Sequence, residues 1–348
     1  MFTWLKSILA MNSSEPGEVV TRFVARNTGQ RGPLLALIPT KHKNESICLC
    51  VTPCSIFVFF WDAAPVGKRL GLEEDAFTCA VGYRGSSVLA GTQKGQVCEV
   101  FLDNSLVFKS RNFPHPISDS PVTAVAVTRD SARFAAGFAE GSVAFWSSPD
   151  TDPEIFRGSA GVSVTSLLFV ESTNALWAGY SDGGLTVFYL ETIGNFVKLP
   201  GVTEVPTIMR WHKYMEVVLI SDSNKDLVVV AISDHNVLHR YDAALVTCGA
   251  ALTCLEIVGE RELLLLGAAD GSFCVRELSA SEKAQRKLRC HLLRVWEVPS
   301  VAEAGPATCA VLDEASDTLL VGDAGCRVRS VNDFYKKIHE REDALQLL

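Results

Sequence analysis

The sequence predicts an all-β fold in which seven small antiparallel sheets form a ring, that is, a seven-bladed β-propeller. Three observations predict it. A short threonine-containing cassette recurs along the chain, a Gly-x-x-x-Gly motif follows the cassette at a nearly constant interval, and an apolar, strand-like run follows that motif. Repeats of 20–50 residues are typical of architectures built by stacking one supersecondary unit, and a unit of four short strands is a propeller blade.

The cassette consists of an apolar residue, a threonine and a small residue. Its six threonines are Thr78, Thr123, Thr165, Thr207, Thr253 and Thr308, of which the fourth lies in the weakest copy. They are separated by 45, 42, 42, 46 and 55 residues, which is close to the blade period of roughly 40–45 residues. The regularity indicates six consecutive blades.

The second motif begins with a glycine, or with a serine in one copy, that lies 13 residues after the first threonine and 14 residues after each of the other five. The motif positions are Gly91…Gly95, Gly137…Gly141, Gly179…Gly183, Ser221…Lys225, Gly267…Gly271 and, one residue tighter, Gly322…Gly325. This interval accommodates a strand, a turn and a second strand. We expect the glycines to supply the positive φ of a tight hairpin.

The remaining strands follow from the apolar runs. SVAFW and LTVFYL are examples of the third strand, and a shorter fourth run follows each of them. Leu34 to Asp62 contains three further strand-like runs and predicts a seventh blade. After Val331 few strand-like residues remain, so we expect Val19 to Arg26 to supply the outer strand of the last blade and to remove its exposed edge.

Two helices and three regions complete the prediction. An insertion in blade six places Leu288, Leu292 and Val295 at helical spacing. The C-terminal segment predicts a second short helix, which either caps the ring or docks on a partner. The predicted regions are an N-terminal extension (1–18), the propeller (19–335) and a C-terminal tail (336–348).

With this period and hairpin pattern, the chain resembles a divergent WD40 propeller over roughly residues 19–335. The family's Trp-Asp pair stands only at Trp61-Asp62, whereas Trp146-Ser147 and Gly158-Ser159 replace the signature dipeptides elsewhere. The family's hairpin acid is retained as Asp182 and Asp270. The resemblance implies a rigid ring with broad faces on which several proteins can bind.

The sequence contains no pattern typical of an enzyme. Gly-x-Ser-x-Gly, a P-loop and His-Glu-x-x-His are all absent. Cys48, Cys50 and Cys54 alternate along strand-like runs without a partner cluster of Cys or His, which favours a core role over a metal site. We therefore predict no catalytic residue, no cofactor, no metal and no small-molecule substrate.

The amino-acid composition indicates which classes of binding partner and which cellular compartment are expected. The net charge of −8 and the pI near 5.5 argue against nucleic acid, because such binding requires clustered cations. Most of the eleven cysteines lie in apolar runs, which predicts free thiols and a reducing, cytoplasmic location. MFTWLKSILA is too short to span a bilayer. A mitochondrial presequence stays open, with Lys6, Arg22 and Arg26 in favour and Glu15 and Glu18 against.

Three sets of residues are candidates for protein binding. Phe138 and Tyr180 occupy the same turn position in adjacent blades, beside Gln93 and Lys94. Two neighbouring aromatic side chains on a rim would form a hot spot, and the alternative is packing against the next blade.

The second candidate is Trp211 with His212, in the run Trp211-His212-Lys213-Tyr214. This run is either an exposed contact patch or the end of a buried strand. The third candidate is the basic insertion, with Lys283, Arg286, Lys287, Arg289 and Arg294. It could meet an acidic protein surface or, as a peripheral contact, anionic lipid head groups; the alternative is a solvated helix face.

These observations favour a non-enzymatic scaffold or adaptor, a subunit of a multiprotein complex. One alternative is a phosphoinositide-binding propeller of the autophagy type, whose Phe-Arg-Arg-Gly motif Phe156-Arg157-Gly158 partly resembles. Another is an enzyme that uses the central funnel, where the predicted inner strands offer only Arg210 and Glu256 as ionisable exceptions.

Overall fold

The computed structural model describes residues 19–23, 32–42, 45–60, 69–71, 75–103, 105, 107–115, 119–158, 161–191, 194–199, 204–242, 247, 250–283, 287–298 and 305–339. Within these ranges the chain forms 28 strands in seven antiparallel, four-stranded sheets. The predicted extension (1–18), Trp61-Asp62, Arg286 and residues 340–348 lie outside the described residues.

Each sheet is one blade, and blades are numbered from β2 onward. An N-terminal strand, β1 (Val19–Phe23), precedes them. The innermost strands are β2 (Ala36–His42), β6 (Phe77–Tyr83), β10 (Val122–Val127), β14 (Val164–Val170), β18 (Pro206–His212), β22 (Leu252–Val258) and β26 (Ala307–Asp313). The second strands are β3 (Glu45–Thr52), β7 (Ser87–Thr92), β11 (Phe134–Phe138), β15 (Ala175–Tyr180), β19 (Val217–Asp222), β23 (Leu263–Ala268) and β27 (Thr318–Asp323).

The third strands are β4 (Ser55–Phe60), β8 (Val97–Leu102), β12 (Ser142–Trp146), β16 (Leu185–Tyr189), β20 (Leu227–Ala231), β24 (Phe273–Lys283) and β28 (Arg327–Val331). The outer strands are β5 (Arg69–Gly71), β9 (Phe108–Phe113), β13 (Glu154–Arg157), β17 (Phe196–Leu199), β21 (Val237–Tyr241) and β25 (Lys287–Val298). In blade seven, β1 lies in the outer position. The prediction of seven blades is confirmed.

The core is distributed around the ring. The described residues form seven apolar clusters, and each cluster joins two neighbouring blades, the one between blades seven and one included. The second strands of blades two to seven are buried along their whole length, because each is covered on both faces by adjacent blades. Blade-on-blade packing of apolar surface therefore holds the ring together.

The cassette threonine is the extra residue of a β-bulge. In all six copies the pairing between the first and second strands shifts at this threonine. In five copies its hydroxyl donates to the carbonyl of the motif's leading residue, as from Thr123 to Gly137 at 3.1 Å. A bulge leaves one residue out of the ladder, and a hydroxyl that reaches the partner strand restores the missing contact.

The leading glycine serves close packing between blades, which corrects the expectation of positive φ. A Cβ added at Gly137 would lie 2.3 Å from a methyl group of Val164 in the next blade, and Gly91 meets Val122 in the same way. Neither glycine has a positive φ. The apolar first residue of the next cassette thus occupies the space that a side chain here would need.

The second glycine of the motif does supply the turn, with positive φ at Gly95, Gly141, Gly183 and Gly271. In blade five Lys225 takes the left-handed conformation instead. In blade seven Cys326 takes it, so the predicted equivalence of Gly325 is wrong and the spacing in this copy is the same as elsewhere.

The predicted helix in the insertion is wrong, because the segment forms a long hairpin. β24 and β25 pair from Phe273↔Val298 to Lys283↔Lys287. Leu288, Cys290 and Leu292 also alternate with polar residues, so the run fits a strand as well as a helix, and pairing with the preceding strand decides between them.

The chain ends of the ring lie against blade seven. β1 pairs with β28 in antiparallel register, from Val19↔Val331 to Phe23↔Arg327. Residues 334–339 form a short helix, as predicted, and Phe334 and Ile338 are buried in the cluster between blades six and seven. The boundary predicted after residue 335 falls within this helix.

Candidate interaction surface at the mouth of the channel

The antiparallel order of the strands gives the ring two different faces. Turns between the second and third strands of each blade lie on one face, the turn face. In blades two to seven these turns carry the Gly-x-x-x-Gly motif or its variant. Connections between the first and second strands lie on the opposite face, the mouth face. The candidate residues divide between these two faces.

On the turn face, Phe138 and Tyr180 are buried rather than exposed, so the exposure that a rim hot spot requires is absent. The ring of His115, from the preceding connection, lies 5.1 Å from the ring of Phe138. The backbone of Gly158 covers Tyr180 so closely that a Cβ there would lie 2.8 Å from the tyrosine ring. Each aromatic ring is thus covered by the chain entering its blade, and burial raises the pKa of Tyr180 to about 12.

Gln93 and Lys94 are exposed on the turn face of blade two. Their backbone amides donate to Ala76 O at 2.8 Å and to Asp75 Oδ1 at 3.0 Å. The hairpin acids act similarly, since Asp270 Oδ1 accepts from the amide of Ser272 at 2.9 Å. These polar groups of the turn face therefore stabilise the turns in which they lie.

The basic insertion is the arm formed by β24 and β25. Lys283 pairs with Lys287, Ser281 with Arg289, and Arg276 with Arg294. Residues directly opposite in an antiparallel pair share a face, so the register puts Lys283, Lys287 and Arg289 at positions of one face of the arm. Binding to an acidic partner through these residues stays a prediction.

The central channel, about 640 Å³ in volume, is lined by the innermost strands of all seven blades. Within it Arg210 donates from Nε to Glu256 Oε2 at 2.7 Å and from Nη2 to Oε1 at 2.5 Å, which joins blades five and six. Among the described residues no group of three or more His, Cys, Asp or Glu is arranged to hold a metal ion. The two ionisable exceptions thus neutralise each other.

Most of the cysteines that the structure describes are buried. Of the nine that the structure describes, all are free thiols and only Cys54 is exposed. Burial raises the pKa of Cys79 to about 11 and that of Cys98 to about 12. A side-chain hydrogen bond with Cys48 and, after it, burial raise the pKa of Cys50. Thiols with raised pKa values are poor nucleophiles and metal ligands.

On the mouth face, the channel opens into a depression of about 640 Å³, called here the mouth groove. It is lined by Val127, Arg129, Leu168, Phe169, Glu171, Arg210, Trp211, Lys213, Tyr214, Ile257, Gly259, Glu260, Glu262 and Glu314. Blades three to seven contribute to it. The groove combines an apolar and aromatic lining with charged walls.

The structure separates the two residues of the second candidate set. Trp211 is half-buried and lines the groove, whereas His212 is buried. His212 Nδ1 lies 2.9 Å from Glu262 Oε2; burial lowers the pKa of His212, against the opposing effect of Glu262. Lys213 and Tyr214 are the exposed residues of this run, and Tyr214 has 67% of its surface accessible.

Carboxylates of successive blades tie the connections of the mouth face together. Glu171 Oε1 accepts from the amide of Arg129 at 2.6 Å, Glu216 Oε2 from Ser172 Oγ at 2.8 Å, and Glu262 Oε2 from the amide of Tyr214 at 3.0 Å. Blades three to six are therefore linked along the rim of the groove, and Tyr214 is presented on a fixed connection.

The prediction from sequence included Tyr214 only as part of the run that begins at Trp211, and it missed Glu260 and Glu314 as parts of this surface. The first-to-second-strand connections differ in sequence from blade to blade, so no repeat marks them. An exposed tyrosine within an aromatic and cationic run was the one available signal.

Comparison with known proteins places the fold. No protein-family model matches the sequence, and no curated protein matches it. Among solved structures, a chain in the crystal structure of a mitotic checkpoint complex is similar, with a TM-score of 0.67 over 92% of this chain and 92% of that chain, at 10% sequence identity. In the described residues no helix is long and apolar enough to cross a membrane. The chain therefore has the seven-bladed β-propeller fold that its repeat and its resemblance to WD40 propellers predict.

Proposed function

We propose that this protein is a non-enzymatic scaffold, a subunit of a multiprotein complex whose partners are other proteins. The observation that carries the proposal is the mouth groove, a broad depression with an exposed tyrosine on a ring whose channel contains a mutually neutralised ion pair. Exposed aromatic side chains in a concave surface are typical of protein interfaces. The similar solved chain belongs to a multiprotein assembly, which supports the same function.

Sizing of the endogenous protein tests this proposal. A tagged copy expressed from its own locus is run on a sizing column in fresh extract, and the purified chain is run on the same column as the control. We expect the extract protein to elute well above the 37.8 kDa of the single chain. The proposal would be contradicted if the extract protein eluted at the same volume as the purified chain, at both low and physiological salt and both with and without crosslinking.

We propose the cytoplasm as the location of the protein. Support comes from the buried free thiols, since a reducing compartment keeps such cysteines unpaired. Imaging of the same tagged copy tests this, and an organellar signal would exclude it.

We also propose that β1 closes the ring. The five-residue register between β1 and β28 supports this, because it covers the strand edge of blade seven that would otherwise be free. The consequence for stability is among the predictions below.

A further inference from the structure

The mouth groove has an apolar and aromatic surface on which a side chain of a partner can be buried. Phe169 is buried beneath it, while Leu168, Trp211 and Ile257 are partly exposed within it. Tyr214 stands at its rim with 67% of its surface accessible, the largest exposure among the large apolar and aromatic side chains of the described residues. Apolar surface of this kind favours association because its burial removes it from water.

The charges of the groove are arranged unevenly. The exposed carboxylates of Glu260 and Glu314 lie on blades six and seven, whereas Arg129 and Lys213 lie on blades three and five. Glu260 and Glu314 form no ion pair with any other described residue. This end of the groove therefore presents unneutralised negative charge.

The surroundings of Tyr335 show that Glu260 and Glu314 influence the same side chain. Tyr335, at the start of the C-terminal helix, lies against Gly259, where an added Cβ would meet its hydroxyl. Its pKa is raised by burial first and then by the negative charges of Glu314, Asp317 and Glu260. The negative charges of Glu260 and Glu314 therefore both act on Tyr335, where the groove meets the helix at residues 334–339.

We propose that the mouth groove binds a short segment of a partner protein that carries a lysine or arginine beside an apolar side chain. The cation would lie between Glu260 and Glu314, and the apolar side chain would pack against Trp211 and Tyr214. A cation near the tyrosine ring gains a further attraction from its π face. This proposal rests on the scaffold function and specifies its surface and the chemistry of its partner.

Selection of peptides on the purified full chain tests the proposal. A displayed library of random 12-residue peptides is selected on the native protein, and the enriched peptides are measured by fluorescence anisotropy. The variants are Tyr214→Ala and the pair Glu260→Lys with Glu314→Lys. The control pair is Asp152→Lys with Glu154→Lys, which makes the same charge change at exposed acids of blade three, outside the groove.

The enriched peptides should contain lysine or arginine next to an aliphatic or aromatic residue. We expect binding to weaken about tenfold or more in Tyr214→Ala and in the groove pair, since truncation of a hot-spot residue has effects of this size. The control pair should bind within about twofold of the original protein, because exposed charges remote from an interface contribute little.

Three outcomes would overturn the proposal. Either the native protein enriches no peptide that the variant Glu260→Lys with Glu314→Lys does not also enrich, or the enriched peptides are acidic, or the groove pair and the control pair lose binding equally. The altered side chains are exposed, and unchanged melting temperatures would show that the variants are folded. If the native protein still elutes in a large assembly, such a result excludes the groove and leaves the scaffold function standing.

Discussion

The close contact between Gly267 in blade six and Ala307 in blade seven provides a sharp test of how the blades pack. A Cβ added at Gly267 would lie 2.6 Å from Cβ of Ala307 and 3.0 Å from Cβ of Cys254. Contacts between carbon atoms are optimal at about 3.5–4.0 Å. Because Cβ atoms cannot rotate away from the backbone, Gly267→Ala can be accommodated only if the two blades move apart.

The magnitude follows from two opposing effects. Overpacking a close contact costs about 1–3 kcal/mol. Gly267 does not have a positive φ, so alanine also gains about 0.4–1 kcal/mol by restricting the unfolded chain. The expected net loss in the free energy of unfolding is about 1–2 kcal/mol. Ala307→Gly removes a buried methyl group and adds chain entropy, at a cost of about 1–2 kcal/mol.

The double variant moves the methyl group to the other side of the same contact. The Cβ at position 267 would then meet Cα of residue 307 at 3.9 Å, which is an ordinary separation, and the 3.0 Å contact with Cβ of Cys254 within blade six is the one tight contact left of those two. We expect the double variant to lie within about 1 kcal/mol of the original protein, so that the two changes couple by about 1–3 kcal/mol. Urea denaturation of the full chain, followed by tryptophan fluorescence, measures all four proteins.

A control glycine separates packing from backbone effects. Gly82 also lacks a positive φ, and a Cβ there would meet Ile38 at 3.5 Å, an ordinary contact. Gly82→Ala should therefore be neutral or stabilising. The reasoning would be refuted if Gly267→Ala were as stable as Gly82→Ala, or if the double variant lost the full sum of the two single losses.

Three further perturbations follow from the same contacts. Thr123→Val removes the 3.1 Å hydrogen bond to Gly137 and should lower the free energy of unfolding by about 0.5–1.5 kcal/mol. The buried hydroxyl of Thr165 has no hydrogen-bond partner within the described ranges, so Thr165→Val should be neutral, and equal losses for the two variants in urea denaturation would contradict this. Arg329 is 1% exposed, and none of its guanidinium nitrogens has a hydrogen-bond partner among the residues that the structure describes. Arg329→Met should therefore raise the free energy of unfolding by about 1–3 kcal/mol, and a clear loss in the same assay would show that its charge is needed. Removal of residues 1–26 exposes the edge of blade seven and should lower the melting temperature and cause aggregation in light scattering; an equally stable, monodisperse ring would exclude closure by β1.

The repeat made the fold predictable from the sequence. The physical role of the leading glycine in each repeat could not be predicted in this way. The constant spacing between threonine and glycine follows from a bulged pair of strands, and that spacing is visible in the sequence. The absence of a side chain at Gly137 was expected to serve a turn, whereas it serves the approach of Val164 from the next blade. Such a contact joins residues of different repeats, so a pattern within one repeat cannot reveal it.

The helix predicted in the insertion was wrong, and two interpretations of Phe138 and Tyr180 stayed open, because each local pattern is compatible with two structures. Leu288, Leu292 and Val295 fit a helical face, but the same run alternates as a strand and pairs with the strand before it. Phe138 and Tyr180 lie at turn positions, and only the structure shows that the entering chain covers them. Tertiary contacts decided each case, and local periodicity does not contain them.

The division between the predictable and the unpredictable parts has a physical basis that bears on function. The turn face repeats, because each turn must fit a neighbouring blade through the same bulge and the same close approach. On the mouth face, single carboxylates such as Glu171 and Glu262 fix the connections by accepting hydrogen bonds from backbone amides. Such bonds place little constraint on the identity of the neighbouring side chains. Tyr214 and Glu260 could therefore change without loss of the ring, and a surface free of the repeat is where a scaffold can acquire specificity for one partner.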